Sequence, residues 1–75
     1  MKIEDVYDYI AIGLESRRSE FTQKEISREL EGSISSVHYA LKPLERIGSI
    51  IKRARGFRVI DPNFWCTRHL SIRCG

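Results

Sequence analysis

Three features of the sequence predict an α+β domain in which three helices precede a two-stranded β-hairpin. Apolar residues recur at steps of three and four as far as residue 47, a helix-capping pattern occurs at Thr22–Glu25, and β-branched residues become frequent after Gly48. Apolar residues make up 41% of the 75 residues, which is typical of a folded domain and too high for a disordered chain. We therefore expect one domain spanning residues 1–75.

The first predicted helix covers about residues 3–16. Its apolar stripe has the spacing of one face of an amphipathic helix and consists of Ile3, Val6, Tyr7, Ile10 and Leu14. The next residues, SRRSE at 16–20, have no periodic pattern. We therefore expect a loop between the first and second helices.

A capping box predicts the start of the second helix. Thr22 is a suitable N-cap, and Glu25 follows three residues later, so each side chain can accept a hydrogen bond from the other residue's backbone N–H. Phe21 and Ile26 have the spacing of the hydrophobic contact that often accompanies such a cap. The second helix is therefore predicted over about residues 23–30.

The third helix is predicted over about residues 34–47, because Ser33 is a suitable N-cap and Gly48 is typical of a helix C-terminus. Its core stripe consists of Ile34, Val37, Leu41 and Leu44, with Ala40 and Ile47 beside it. Pro43 lies inside this helix, where it removes one backbone donor and crowds the carbonyl of Tyr39. We expect either a bend near Pro43 or a helix that restarts there.

After Gly48 the pattern changes to that of a hairpin. The residues SIIKRARGFRVID, 49–61, are rich in β-branched side chains and contain a short turn with a glycine. They predict strands over about 49–54 and 57–60. In the tail, residues 61–75, four residues at even-numbered positions would share one face of a strand and so are compatible with a further strand: Cys66, Leu70, Ile72 and Cys74.

The segment TQKEISRELEGSISSVHYALKPLERIGSIIKRARGFRV, Thr22–Val59, resembles the winged helix-turn-helix of prokaryotic transcription regulators, above all the MarR- and ArsR-type repressors. The likeness lies in TQKEI at the start of the second helix, Ser33 at the start of the third, Gly48 after it and GFRV in the hairpin. It covers about half of the chain and ends before Asp61. Gly32 departs from the pattern, since the family usually has an apolar turn residue there.

The resemblance implies a third helix that lies in the DNA major groove and a basic hairpin, the wing, that contacts the DNA backbone or places an arginine in the minor groove. It also implies that the second helix crosses above the backbone, so that Gln23 and Lys24 would touch phosphate. The alternative for these two residues is ordinary helix surface.

One face of the predicted third helix is polar. Successive residues are about 100° apart, and the polar line lies within about 30° of the direction opposite the core stripe. It consists of Ser35, Tyr39, Lys42 and Arg46, with Ser36 and His38 on its flanks. The major groove is ~12 Å wide and admits one α-helix, so the hydroxyls and rings would contact base edges and the cations would meet phosphates or guanine. The alternative is a solvated face.

Positive charge is concentrated near the hairpin. Residues 1–20 carry a net charge of −2 and residues 21–75 a net charge of +5, and from Arg46 to Ile60 there are five basic residues and no acidic one. Such a concentration indicates a polyanionic partner. The basic residues of the hairpin are Lys52, Arg53, Arg55 and Arg58. The alternative, credible for the first and last of them, is protection of an exposed sheet edge.

No catalytic residue, metal ligand or cofactor is predicted. The sequence has no glycine-rich phosphate loop, no paired carboxylates and no nucleophile facing a base, so we expect neither an enzyme nor a small-molecule substrate. Cys66, His69 and Cys74 give three zinc ligands where a structural site takes four. A disulfide between the two cysteines would require a turn in the tail or a partner chain. We expect buried free thiols instead.

The sequence favours a small, sequence-specific, double-stranded DNA-binding regulator of prokaryotic or viral type, such as a repressor. One winged helix reads about half a palindrome, so we expect a homodimer. Its interface would use Tyr9 and Ile12 of the first helix or, in the tail, Phe64, Trp65, Leu70 and Ile72. The alternative is that the tail covers the domain's own core.

Two other functions stay open. They are a winged-helix module that binds an acidic partner protein and a non-specific architectural DNA binder. No run of about 18 apolar residues is present and the acidic N-terminal residues are unlike a signal peptide, so we expect no membrane span. The expected location is the cytoplasm, in association with the nucleoid.

Overall fold

Helices and a small antiparallel sheet make up residues 2–66, the part of the chain that the computed structural model describes. The elements in chain order are α1 (Ile3–Glu15), β1 (Glu20–Phe21), α2 (Gln23–Glu29), α3 (Ile34–Arg46), β2 (Ile50–Arg53), β3 (Gly56–Val59) and α4 (Asn63–Cys66). The predicted α+β class is confirmed, and α1, α2 and α3 lie within one residue of their predicted bounds.

The sheet has three strands in the order β1-β3-β2, all antiparallel. β2 and β3 form the predicted hairpin, with Ile50 opposite Val59 and Arg53 opposite Gly56. β1 pairs with the other edge of β3 and was not predicted, because it lies at the end of the expected loop and has only two residues. So short a segment cannot show a period of two, and only its pairing with β3 makes it a strand.

Glycine is required at position 56 because β1 and β3 lie very close together there, and not because of the turn to which the sequence assigned this residue. It is the first residue of β3, while Ala54 and Arg55 connect the strands. A Cβ atom on Gly56 would lie 2.1 Å from the Phe21 carbonyl oxygen and 2.9 Å from the Thr22 Cα atom. Only glycine lets β3 approach this closely.

The core lies between the helices and the inner face of the sheet. Its aromatic members include Phe21 and Phe57, whose rings stack with centroids 5.7 Å apart. The other buried apolar residues are Val6, Ile10, Ala11, Ile26, Val37, Ala40, Leu41, Leu44, Ile50, Val59 and Trp65. The helical stripes predicted from the sequence therefore face the core along most of their length.

Three isoleucines predicted to lie in or beside these stripes are exposed instead: Ile3 at 45%, Ile34 at 54% and Ile47 at 62%. Ile3 and Ile34 begin their helices, and Ile47 follows the last residue of α3. Helical spacing identifies the core face but does not show how far neighbouring elements extend along it, so residues at helix ends were assigned wrongly.

The predicted N-caps are both present. The Thr22 hydroxyl accepts from the Glu25 backbone N–H at 3.1 Å, and the Ser33 hydroxyl accepts from the Ser36 backbone N–H at 3.1 Å. The Glu25 carboxylate accepts from the Thr22 hydroxyl at 3.3 Å and not from the Thr22 backbone N–H, so only one half of the predicted capping box forms.

α3 is one helix from Ile34 to Arg46 with Pro43 inside it. The predicted alternative of a helix that restarts at Pro43 is therefore wrong, and a bend stays a prediction. The Tyr7 hydroxyl donates to the Ala40 carbonyl at 3.0 Å, which ties α1 to α3 one turn before the proline.

The start of the tail packs against α1. Trp65 is fully buried, and its indole N–H donates to the Tyr7 carbonyl at 3.0 Å. Phe64 makes edge-to-face contacts with Tyr7 and with Trp65, at centroid distances of 5.1 and 5.2 Å. The assignment of Trp65 to a dimer interface is therefore wrong, because its ring is used in the chain's own core.

Cys66 corrects two expectations. It ends the single turn of α4 and so does not begin a strand; Leu70, Ile72 and Cys74 of that predicted strand lie outside the described residues. Its thiol was expected to be free, whereas Cys66 is disulfide-bonded. Parity alone could not distinguish a strand from a helical turn, and the argument from an intracellular location did not decide the redox state.

Candidate nucleic-acid interface

The outer face of α3 is exposed as its sequence pattern predicts. Val37, Ala40, Leu41 and Leu44 turn inward, so the polar residues lie on the opposite side. All four members of the predicted line are exposed: Ser35, Tyr39, Lys42 and Arg46. Tyr39 is 66% exposed, which is high for an aromatic residue in a domain whose other aromatic rings are buried or half-buried.

A groove joins α3 to the hairpin. It has a volume of about 450 Å³ and is lined by His38, Lys42, Glu45, Arg46 and Lys52. Four of these residues were predicted as site residues from two separate segments of the sequence. The structure thus combines the cations of α3 with Lys52 of β2 in one concave surface.

Glu45 is the acidic residue in this groove and was not predicted. Its carboxylate lies 3.9 Å from the Lys52 ammonium, and both side chains are about half exposed. Such a surface ion pair contributes only ~0–1 kcal/mol and is screened by salt. Lys52 can therefore exchange Glu45 for a phosphate at little cost.

A second groove, of about 310 Å³, lies on the other side of the α3 face. It is lined by Ser35, Ser36 and Tyr39 together with Ile3 of α1. The Ser36 hydroxyl is 2.9 Å from that of Ser33, so it takes part in the helix cap. Sequence reasoning missed Ile3 here, because helical spacing assigned it to the core.

The hairpin cations differ in their surroundings. Arg58 lies opposite Glu20 in the sheet and its guanidinium is 3.8 Å from that carboxylate. Because β3 is the central strand, edge protection does not account for Arg58. Arg53 and Arg55 have no carboxylate within ion-pair distance in residues 2–66, and the same holds for Lys42 and Arg46 of α3.

A larger groove runs beside the hairpin turn, with a volume of about 690 Å³. Four arginines line it: Arg18, Arg53, Arg55 and Arg58. Sequence reasoning did not select Arg18, which lies in the predicted loop. Its guanidinium forms an ion pair with Glu25, donates to the Glu20 carbonyl at 2.9 Å and lies 4.6 Å from the centroid of the Phe21 ring.

Through these contacts Arg18 connects the end of α1 to the start of α2. Burial disfavours its charged form, but hydrogen bonds and charge interactions with Glu25 and Tyr9 outweigh this and raise the pKa of the guanidinium. The Tyr9 hydroxyl also donates to Glu25 at 3.3 Å. Tyr9, a predicted dimer contact, is thus half-buried in a network within its own chain.

Gln23 and Lys24 line none of these three grooves. Lys24 is exposed in the first turn of α2 and Gln23 is half-buried. None of the three grooves therefore supports the phosphate contact predicted for these two residues, which stays a prediction.

Within residues 2–66, no group of three or more His, Cys, Asp or Glu side chains is arranged to hold a metal ion. His69 and Cys74 of the weighed zinc set lie outside this range. No helix in the same range is both long and apolar enough to cross a membrane.

Comparison of the chain with models of known protein families, with curated proteins and with solved structures gives no match.

Proposed function

We propose that the protein is a winged helix-turn-helix regulator of transcription that binds double-stranded DNA sequence-specifically. α3 would lie in the major groove as the recognition helix, and the β2–β3 hairpin would be the wing. The observation that carries the proposal is the groove in which His38, Lys42 and Arg46 of α3 meet Lys52 of β2.

The order of elements supports this proposal. Three helices precede a hairpin, and the third helix presents a whole face to solvent. α3 has 13 residues and is therefore about 20 Å long. A helix of these dimensions fits a major groove ~12 Å wide when no other element covers its outer face.

Charge supports a phosphate partner. Lys42, Arg46, Arg53 and Arg55 are exposed and have no acidic partner among the described residues. Unpaired cations on two adjoining elements repel one another unless an anion lies between them. A nucleic-acid backbone supplies anions at regular spacing along both elements.

The proposal is tested by measuring duplex binding over a series of salt concentrations. Four or five phosphate contacts predict that log K falls with log [salt] with a slope of about −4. Selection from random duplexes should enrich one motif. If no duplex is bound even at low salt, the protein does not bind DNA and the protein-interaction alternative is favoured; binding without an enriched motif favours the architectural one.

We also propose a homodimer, since a single α3 covers about half of a palindromic site. Ile12 of α1 is 65% exposed and is, among the candidate interface residues within 2–66, the one that the chain's own core does not use. Ile12→Glu should shift the sedimentation coefficient from dimer to monomer without loss of helical circular dichroism. A wild-type protein that sediments as a monomer, both free and on DNA, would refute the dimer.

A regulator of this kind would act in the cytoplasm, in association with the nucleoid.

A further inference from the structure

The N-terminal half of α3 differs in chemistry from its C-terminal half. Residues 34–41 contain no Arg, Lys, Asn or Gln, and the cations of the helix begin at Lys42. The large exposed side chain on the outer face of this half is aromatic: Tyr39 is 66% exposed. In helix-turn-helix proteins, it is the N-terminal part of the recognition helix that contacts base edges.

These residue types restrict which bases the half-helix can read. Guanine is read most often by a bidentate Arg or Lys, and adenine by a bidentate Asn or Gln, all of which are missing here. Thymine presents a 5-methyl group in the major groove, which apolar side chains contact. An exposed apolar surface at the base-reading position therefore matches thymine better than the other bases.

Ile3 enlarges this surface. It is 45% exposed and lines the 310 Å³ groove with Tyr39, Ser35 and Ser36. The Ser36 hydroxyl already contacts the Ser33 hydroxyl at 2.9 Å, whereas Ser35 has no side-chain hydrogen bond within residues 2–66. The groove thus offers apolar walls and one hydroxyl that can bond a base edge or a phosphate.

We propose that Tyr39, with Ile3 beside it, contacts thymine 5-methyl groups, so that the base pairs under the N-terminal half of α3 are A·T. Lys42 and Arg46 then hold the phosphates that flank this A·T segment. The inference rests on the proposed DNA-binding function and deepens it by naming the base that α3 reads.

The test removes single methyl groups from the DNA. The preferred duplex is first selected from random sequences, and each thymine in it is then replaced by deoxyuridine, which pairs identically but lacks the methyl group. Removing a methyl group that is buried on binding should weaken affinity about fourfold. Replacement outside the contacted pairs should leave the affinity unchanged.

Tyr39→Ala identifies the protein side of the contact. This exposed residue can be replaced without opening the core, and circular dichroism verifies the fold. At the thymine that residue 39 contacts, the variant should bind the thymine and deoxyuridine duplexes equally, whereas Tyr39→Phe should keep the difference. Arg55→Ala is the matched control, because losing a hairpin cation should weaken binding to both duplexes by the same factor.

The outcomes separate the inference from the proposed function. The inference is supported if the selected motif contains thymines and if replacing them with deoxyuridine weakens binding. This weakening must also require an aromatic residue at position 39. A selected motif that is rich in G·C, or that is insensitive to deoxyuridine, overturns the inference and leaves DNA binding intact. No binding to any duplex overturns both.

Discussion

Two residues other than glycine have the left-handed backbone conformation that glycine usually adopts at helix ends. Arg17 has φ = 64° after α1, and Glu31 has φ = 53° after α2, while the matching position after α3 is Gly48 with φ = 80°. In each case the residue that follows donates its N–H back into the last turn, as Gly32 N does to the Ser27 carbonyl at 2.9 Å. All three helices therefore end in a Schellman motif, and only the third has the preferred residue.

We predict that Glu31→Gly raises the free energy of unfolding by about 0.5–1 kcal/mol, because glycine adopts positive φ without steric cost. Urea denaturation monitored by circular dichroism measures the change. Glu29→Gly is the matched control, since Glu29 is also exposed but lies in the last turn of α2, and it should lower stability by a similar amount. If both substitutions destabilise the protein, Glu31 is not strained.

At the scale of elements, α3 accommodates a proline that a regular helix should exclude. Pro43 is exposed and the helix continues beyond it for three residues. The proline leaves the Tyr39 carbonyl without its usual donor, and the next carbonyl, that of Ala40, accepts from the Tyr7 hydroxyl. The hydrogen bond from Tyr7 thus attaches α3 to α1 at the turn in which the proline removes a backbone hydrogen bond.

Pro43→Ala should raise the free energy of unfolding by about 1–3 kcal/mol, since it restores a backbone donor and relieves crowding inside the helix. Thermal and urea denaturation test this. Lys42→Ala changes the adjacent exposed position and should shift stability by no more than about 0.5 kcal/mol. A loss of stability in Pro43→Ala would instead mean that the proline makes a bend on which packing depends.

The hairpin makes a separate prediction about DNA. Arg55 lies in the turn between β2 and β3 and has no acidic partner in the described part of the chain. Arg55→Ala should weaken binding to all duplexes and make the salt slope less steep by about one. Arg17→Ala removes the same charge from the α1–β1 connection and should leave the slope nearly unchanged. Equal effects of the two variants would show that only net charge matters.

For the whole molecule, the first turn of the tail is part of the core. Trp65 is the largest of the fully buried side chains, and its hydrogen bond to the Tyr7 carbonyl joins residues 58 positions apart. A 75-residue domain has a total stability of only ~4–11 kcal/mol, so one large buried ring is a substantial share of it.

Trp65→Ala should therefore lower the free energy of unfolding by about 3–5 kcal/mol, through lost burial and the cavity left behind. Trp65→Phe keeps most of the volume and should cost less, which distinguishes packing from a general effect of substitution. Denaturant midpoints of the variants give the comparison. A loss below about 1 kcal/mol in Trp65→Ala would mean that the tail does not stabilise the core.

The sequence by itself determined those features that depend on neighbours a few residues apart. Helical periodicity, the caps at Thr22 and Ser33, and the change of pattern after Gly48 are local, so α1, α2, α3 and the hairpin could be placed within one or two residues, whereas α4 was not predicted. The polar line on α3 follows from the same periodicity, which fixes the relative directions of its side chains.

Only the tertiary structure decided what depends on distant segments. β1 is a strand because it pairs with β3, and Gly56 is needed because the Phe21 backbone lies so close to it. Trp65 is buried because it packs against α1. The groove between α3 and β2 likewise brings Lys52 beside residues up to 14 positions earlier. Such contacts are set by how complete elements pack, and no local spacing encodes them.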